Sequence, residues 1–292
     1  MKLSVINENI AVFQSEIFVM NSVLIHCGGK GIFIDPGILP EEIKKIDDYL
    51  SGNKIEIQDV ILTHSHWDHI IAADHFYPAE IIAHQNFEYE TSGIKWEHLK
   101  KQISDFSKLH EINELEFNIP KPDQLVNREY NLKLNNISLN LTFTPGHASD
   151  HISIIIPEQE VLIAGDLLSD REIPYVNYSL KEYTGTLEKL SSFDFEMIIP
   201  GHGNSTQNKE EVFERLNRDR EYLNKLNELA KTAVNGNLQA DDLKNLAGKI
   251  SYHFPELNNA GHLLNLETAF IELGGRADPS KYGWGQNLIE IQ

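Results

Sequence analysis

The sequence of 292 residues predicts an α/β fold in which two β-sheets lie between outer layers of helices. Short β-rich runs form two series, one before residue 64 and one after residue 131, and helical stretches separate and follow them. Sheets with helices on their outer faces are a stable layer arrangement. We therefore expect four layers (αββα), followed by a C-terminal helical extension.

The first series contains five runs bounded mainly by Asn and Gly turn residues, which is typical of short strands. A helix is expected over residues 40–50 because Pro40 begins it and acidic residues fill its first turn. The predicted strands of this series cover residues 3–6, 10–13, 19–26, 31–35 and 59–63.

The second series predicts strands over residues 132–144, 151–157 and 161–164, then a helix over 181–191 and a strand over 197–199. Between the two series, residues 85–125 are interpreted as a helical insertion. Their apolar residues from Ile94 to Leu109 recur at close to 3.6-residue spacing. The insertion lies beside the predicted site and is a candidate lid.

The predicted division of the chain is a catalytic domain over residues 1–205 and a helical extension over residues 206–292. Residues from Asn208 to near Gly236 predict a long charged helix with an apolar stripe along one side. Shorter helices are expected over 240–250 and 259–273, followed by an irregular tail over 274–292.

The strongest bias in composition is a formal net charge of −19, from 44 acidic and 25 basic residues. Phosphate backbones require a positive surface, so no nucleic-acid partner is expected. No signal peptide and no apolar run of membrane-spanning length is seen, so we expect a cytoplasmic protein without a membrane partner. The oligomeric state is open, with a homodimer as one option.

The densest group of polar residues follows the predicted strand 59–63 directly. Alternation along an extended chain places two of its histidines on one side, where both reach one ion, and a following helix turns the next two ligands elsewhere. Four strong metal-binding side chains within six residues are unusual for a segment that only packs: His64, His66, Asp68 and His69.

Three later segments also place a histidine or an aspartate immediately after a predicted strand. Pro145-Gly146 precedes His147, Gly165 precedes Asp166, and Pro200-Gly201 precedes His202. Tight turns at strand ends bring side chains to one edge of a sheet. These residues are therefore predicted to join the first four in one metal site.

This ordered set resembles the metallo-β-lactamase superfamily, whose signature is HxHxDH followed by separate His, Asp and His ligands. The resemblance spans residues 3–204 and implies one ion on His64, His66 and His147. It implies a second ion on Asp68, His69 and His202, with Asp166 bridging both. It also implies that Asp35 of the Asp-Pro-Gly turn supports the site, and that His151 orients a ligand from outside. Asp150 is expected in a turn or at the surface.

The resemblance implies two divalent metal ions per chain, with zinc favoured and manganese or iron as alternatives. A hydroxide that bridges the ions would attack the substrate, and Asp68 would orient it as the catalytic residue. The implied function is hydrolysis of an ester, thioester or lactone of a small molecule.

Within the superfamily the sequence is similar to the glyoxalase II and lactonase-like branch with C-terminal helices. Asp166 stands where zinc β-lactamases usually have cysteine, and residues 167–178 lack the glyoxalase II Gly-Cys-Gly-Arg segment. Two alternatives stay open. One is a metal-binding effector or sensor protein with little turnover, and the other is a mononuclear iron sulfur-oxygenase.

Overall fold

Two β-sheets stack face to face at the centre of the molecule, and helices cover the outer face of each. The computed structural model describes residues 1–110, 112, 117–239 and 242–276. The predicted αββα layering is confirmed.

The first sheet has seven strands in chain order. Its first four strands form an antiparallel meander, and the fourth to seventh strands are mutually parallel. The strands are β1 Lys2–Val5, β2 Ile10–Gln14, β3 Asn21–Cys27, β4 Lys30–Ile34, β5 Glu56–Ile61, β6 Glu80–His84 and β7 Gln124–Val126.

The second sheet has the order β12-β11-β10-β9-β8. Its strands are β8 Glu129–Leu134, β9 Ile137–Phe143, β10 Ile152–Ile156, β11 Val161–Gly165 and β12 Met197–Pro200. The prediction of a single strand over 132–144 is wrong, because the chain reverses at Asn135 and β8 pairs with β9. Asn135 has a φ of 54°, a left-handed conformation that asparagine tolerates better than most residues.

The helices connect and cover these strands: α1 Pro40–Asn53, α2 Trp67–Ile70, α3 Phe87–Glu90, α4 Gly93–Leu109, α5 Leu180–Leu190, α6 Lys209–Asn235, α7 Leu243–Ala247 and α8 Pro255–Glu272. Single 3₁₀ turns occupy Ala73–Phe76 and Pro157–Gln159. Among the described residues, no helix is long and apolar enough to cross a membrane. The cytoplasmic location stays a prediction.

The central core lies between the sheets and follows from the two-residue alternation of their strands. On β10, Ile154 points into this core and Ile155 points to the outer helices. On β2, Val12 faces the central core and Phe13 faces the outer layer against α1. Both faces of these strands are therefore buried.

The outer layer on the second sheet is formed by α5, α6 and α8 together. One apolar cluster runs from Leu162 of β11 through Leu226 of α6 to Phe270 of α8. Packing is thus continuous across residue 205, where the predicted domain boundary falls. That boundary stays a prediction.

The region predicted as an insertion contributes to the first sheet as well as to its surroundings. Its end begins strand β7, which was not predicted, nor was β6, which lies directly before the region. Helix α4 buries Leu99, Ile103 and Phe106, whereas Ile94 and Leu109 at its ends are exposed. The Phe106 ring packs 4.6 Å from that of Trp67, which joins α4 to the HxHxDH segment.

Candidate metal centre

All seven predicted ligands lie together at one end of the sandwich. They follow the carboxyl ends of β5, β9, β11 and β12, so both sheets contribute. Their ligand atoms fall into two groups, within each of which they lie no more than 4.8 Å apart. One group is His64, His66, His147 and Asp166, and the other is Asp68, His69 and His202.

In the first group, three imidazole nitrogens converge on one point. His66 Nδ1 lies 2.9 Å from His64 Nε2 and 3.0 Å from His147 Nε2. His66 precedes α2 in an extended conformation, with φ −63° and ψ 144°. Because the chain is still extended at His66, it passes the first group before α2 begins.

The second group is assembled by α2 and by the loop after β12. Asp68 and His69 lie in the first turn of α2, and their ligand atoms cluster with that of His202. His202 Nε2 lies 3.2 Å from His69 Nε2 and 3.2 Å from Asp68 Oδ2.

The carboxylate of Asp166 lies between the two groups. Its Oδ2 is 3.2 Å from His147 Nε2, and its Oδ1 is 3.1 Å from His69 Nε2. Each oxygen therefore faces a different group, which is the arrangement of a carboxylate that bridges two cations.

The outer nitrogens of three rings show which ring nitrogen carries the proton. Nδ1 of His69 donates to Asp35 at 2.8 Å, that of His147 to the Tyr175 carbonyl at 2.9 Å, and that of His202 to the Phe18 carbonyl at 3.1 Å. Carbonyl and carboxylate oxygens only accept, so in a neutral ring Nε2 is left as a lone pair. Converging lone pairs repel one another unless a cation lies among them. The donor set therefore fits a divalent metal.

The electrostatics of the second group favour positive charge. Burial alone would lower the pKa of His202, but Asp166 and Glu172 outweigh it and raise that pKa to about 10. Burial likewise raises the pKa of Asp68, and His69 and His202 reverse this and lower it. A cation bound here would displace protons from the histidines. The same carboxylates would then stabilise the cation.

The first group is different, because burial holds His64 and His66 neutral. Burial, reinforced by His147, lowers the pKa of His66 to about 3. Burial also places the pKa of His64 well below its ordinary value. Neutral imidazoles are the form that binds metal. This group is ready to accept an ion at neutral pH.

Asp35 supports the site from behind, in the place that the resemblance implied. Its Oδ2 accepts from Thr63 Oγ1 at 2.6 Å and from His69 Nδ1 at 2.8 Å, and its Oδ1 accepts from Thr63 N at 2.8 Å. The carboxylate is 2% exposed, so these bonds are screened little by water.

His151 contacts a ligand residue from outside the site, through the main chain of that residue. Its Nε2 accepts from the backbone N–H of Asp166 at 3.1 Å, so it holds the main chain of that residue. This close approach of His151 to the backbone requires glycine at the position before Asp166, since a Cβ at Gly165 would lie 2.4 Å from His151 Nε2. A Cβ at Gly201 would lie 2.3 Å from Asp166 Oδ1. Both glycines let backbone pass close to the carboxylate.

Several residues of the site carried no signal in the sequence. Phe18 and Tyr175 act through backbone carbonyls, which any residue has. Glu172 lies in the field of the ligand groups, and burial raises its pKa. Asp150 lies in a turn, one of the two places expected for it, but it is buried: it is 1% exposed, and burial raises its pKa to about 7.

Residues 18–202, well over half of the chain, match the model of the metallo-beta-lactamase superfamily. The chain belongs to this superfamily, and the resemblance seen in the sequence is confirmed.

The similar proteins include a beta-lactamase-like protein 2 homolog from Caenorhabditis elegans, 26% identical over 215 residues. The alignment covers 71% of this chain and 65% of that relative. Hydroxyacylglutathione hydrolase GloC from Haemophilus influenzae is 25% identical over 205 residues, covering 68% of this chain and 92% of the relative. The superfamily and this named relative are hydrolases, which agrees with the expectation of an enzyme.

Among solved structures, a metallo-beta-lactamase family protein from Thermus thermophilus has the same fold. Its TM-score is 0.67 at 20% identity, and the match covers 95% of this chain and 96% of that one. The match includes the C-terminal part of the chain, so α6 to α8 are within the shared fold.

Proposed function

We propose that this protein is a dinuclear metal-dependent hydrolase that cleaves an ester, a thioester or a lactone of a small molecule. The observation that carries the proposal is the carboxylate of Asp166, which directs one oxygen to each ligand group. The first ion would be held by His64, His66 and His147, the second by Asp68, His69 and His202, and both by Asp166.

Imidazole and carboxylate ligands without thiolate suit zinc, with manganese and iron as alternatives. When bound, two such ions supply a nucleophile at neutral pH, because they lower the pKa of water from ~15.7 towards ~7. The side chains around the ions would orient the water and exclude solvent.

Asp68 is placed to orient the attacking water. Its side chain is 12% exposed, whereas that of His69 beside it is fully buried, so Asp68 faces the open side of the site. Because His69 and His202 keep its pKa low, Asp68 stays ionised and accepts a hydrogen bond at neutral pH. It would therefore accept a hydrogen bond from the attacking water and orient it.

An apolar wall stands beside the second group and favours an acyl group as the substrate part nearest to it. The Phe18 ring lies 6.4 Å from that of His202 and 6.0 Å from that of Trp67. Phe106 of α4 closes the wall from behind. An apolar wall excludes water from the reacting carbonyl.

The similarity to a hydroxyacylglutathione hydrolase supports a thioester within this class. The segment over residues 167–178 argues against glutathione as the thiol half of that substrate. It lacks the Gly-Cys-Gly-Arg segment of glyoxalase II, so the thiol portion is chosen by other contacts.

The test is metal analysis followed by a substrate panel. We expect two ions per chain and turnover of at least one of S-lactoylglutathione, a short acyl thioester, an aryl ester and a γ-lactone. Chelation should abolish turnover and zinc should restore it. Asp68→Asn should lower kcat while metal stays in the first group.

Two results would overturn the proposal in favour of the alternatives. Retained metal with no turnover across the panel, together with a copurified small molecule, would indicate an effector or sensor. One iron per chain and oxygen consumption with a thiol substrate would indicate a sulfur-oxygenase.

A further inference from the structure

The last described helix of the chain holds the segment that follows Asp166. Asn258 of α8 is fully buried, and its side-chain amide bonds to the backbone of this segment. Its Oδ1 accepts from Ile173 N at 3.1 Å, and its Nδ2 donates to the Arg171 carbonyl at 2.9 Å. The amide thus satisfies irregular backbone that has no strand partner.

Asn265 also bonds to the backbone of this segment, nearer to its C-terminal end. It is also fully buried, its Oδ1 accepts from Val176 N at 2.7 Å, and its Nδ2 donates to the Pro174 carbonyl at 2.6 Å. The separation of seven residues places both asparagines on one face of α8. Together they clamp residues 171–176 at both ends.

Tyr175 lies between the clamped positions and contacts the helix between the two asparagines. Its hydroxyl donates to Asn258 Oδ1 at 3.1 Å, so its phenol points to α8. A Cβ at Gly261 would lie 2.0 Å from a Tyr175 ring carbon, so only glycine lets the ring lie against the helix. The position of Tyr175 is therefore determined by α8.

The backbone carbonyl of Tyr175 accepts the Nδ1–H of His147 at 2.9 Å. A ligand histidine whose outer nitrogen is held by an acceptor is fixed in tautomer and orientation and is more basic. The contact chain accordingly runs from α8 through Tyr175 to the first ligand group.

We propose that Asn258, Gly261 and Asn265 are positioning residues for His147, and that through them the C-terminal helix sets the affinity of the first metal site. The inference rests on the proposed function, because it takes His147 as a metal ligand. It gives the C-terminal helices a role in the site besides covering the second sheet.

The experiment compares Asn265→Ala and Gly261→Ala with a matched control, Phe270→Leu. Phe270 is on the same helix and 1% exposed in the apolar cluster, and its side chain has no polar atom, so it makes no hydrogen bond to residues 167–178 or to the asparagines. Zinc affinity is measured by competition with a chromophoric chelator. Cobalt(II) absorption spectra report the geometry of the ligand groups, and thermal unfolding of the chelated protein reports stability.

We expect Asn265→Ala and Gly261→Ala to lower the affinity for one of two zinc ions roughly tenfold. This is the lower end of the loss in metal affinity when a hydrogen-bond partner of a ligand histidine is removed. Both should also shift the cobalt spectrum. Phe270→Leu should lower the unfolding temperature, because it removes buried apolar contacts, and leave zinc affinity and the cobalt spectrum unchanged. Two different substitutions are used so that poor folding of one leaves the comparison intact.

Unchanged zinc affinity in both variants overturns the inference while two zinc ions in the parent protein leave the proposed function standing. An equal loss of affinity in Phe270→Leu also overturns it, since the effect would then be general destabilisation. A parent protein that binds fewer than two ions counts against the proposed function itself.

Discussion

Asp35→Asn tests whether the tautomers of the ligand histidines define the metal centre. The substitution keeps the shape of the side chain but places an amide NH₂ where Oδ2 now accepts from Thr63 and His69. The Thr63 hydroxyl can rotate to accept instead. The His69 ring cannot do so without moving its proton to Nε2, which points into the second ligand group.

The expected cost follows from the one bond that cannot adapt. A hydrogen bond to a charged group contributes about 1.5–3 kcal/mol, so the free energy of unfolding should fall by about that amount. Removing such a partner of a ligand histidine lowers metal affinity by about 10- to 100-fold. We expect this loss for the ion held by His69 and a smaller effect on the other ion.

The measurements are zinc competition titration and urea unfolding, with Asp47→Asn as the control. Asp47 also pairs with a histidine, His75, at 3.0 Å, but both side chains are more than 40% exposed. That change should alter the free energy of unfolding by about 0.5 kcal/mol or less and leave zinc affinity unchanged. Should Asp35→Asn bind both zinc ions as tightly as the control, tautomer control of the site is refuted.

Three further outcomes are expected. Asp166→Ala should reduce metal content below two ions per chain with an unchanged circular dichroism spectrum, and elemental analysis that still finds two ions would exclude a bridging role. Arg215→Met should lower the free energy of unfolding in urea by about 2–4 kcal/mol, because the buried guanidinium donates to the carbonyls of Leu168 at 3.2 Å and Asn204 at 2.9 Å. Burial raises the pKa of Glu267 from 4.5 to about 7, so its stabilising contribution is present below pH 4.5 and is lost as pH rises through 7. Glu267→Gln should therefore raise the unfolding temperature at pH 8 relative to the parent protein and not at pH 4, and a gain of equal size at both pH values would contradict the raised pKa.

The layers and the seven clustered side chains could be predicted because their signals are local. Strand alternation shows which face is buried, and a ligand next to a strand end stays at that end once the strand joins a sheet. His64, Asp166 and His202 were found in this way, although each is far from the others in sequence.

What could not be predicted depends on backbone groups and on distant contacts. The carbonyls of Phe18 and Tyr175 hold ligand histidines, yet a carbonyl leaves no mark in the sequence. Asn258 and Asn265 read as ordinary polar residues of a surface helix until the segment that they clamp is known. The hairpin at Asn135 was missed because apolar alternation continues on both sides of its short turn.

Asn21, at the start of β3, donates to the carbonyls of Pro200 and Gly203, both at 2.8 Å, and so ties the first sheet to the loop that carries His202. A chain emerging from the ribosome has the HxHxDH segment long before it has this loop, and α8 later still. Under the proposed function, binding of both ions therefore waits until the loop of His202 and helix α8 have been synthesised. Chains that stop before these elements would have scattered histidines and aspartates that compete for metal in the wrong combinations. Under the same proposal, the metal content of a preparation measures how many molecules have folded as far as α8.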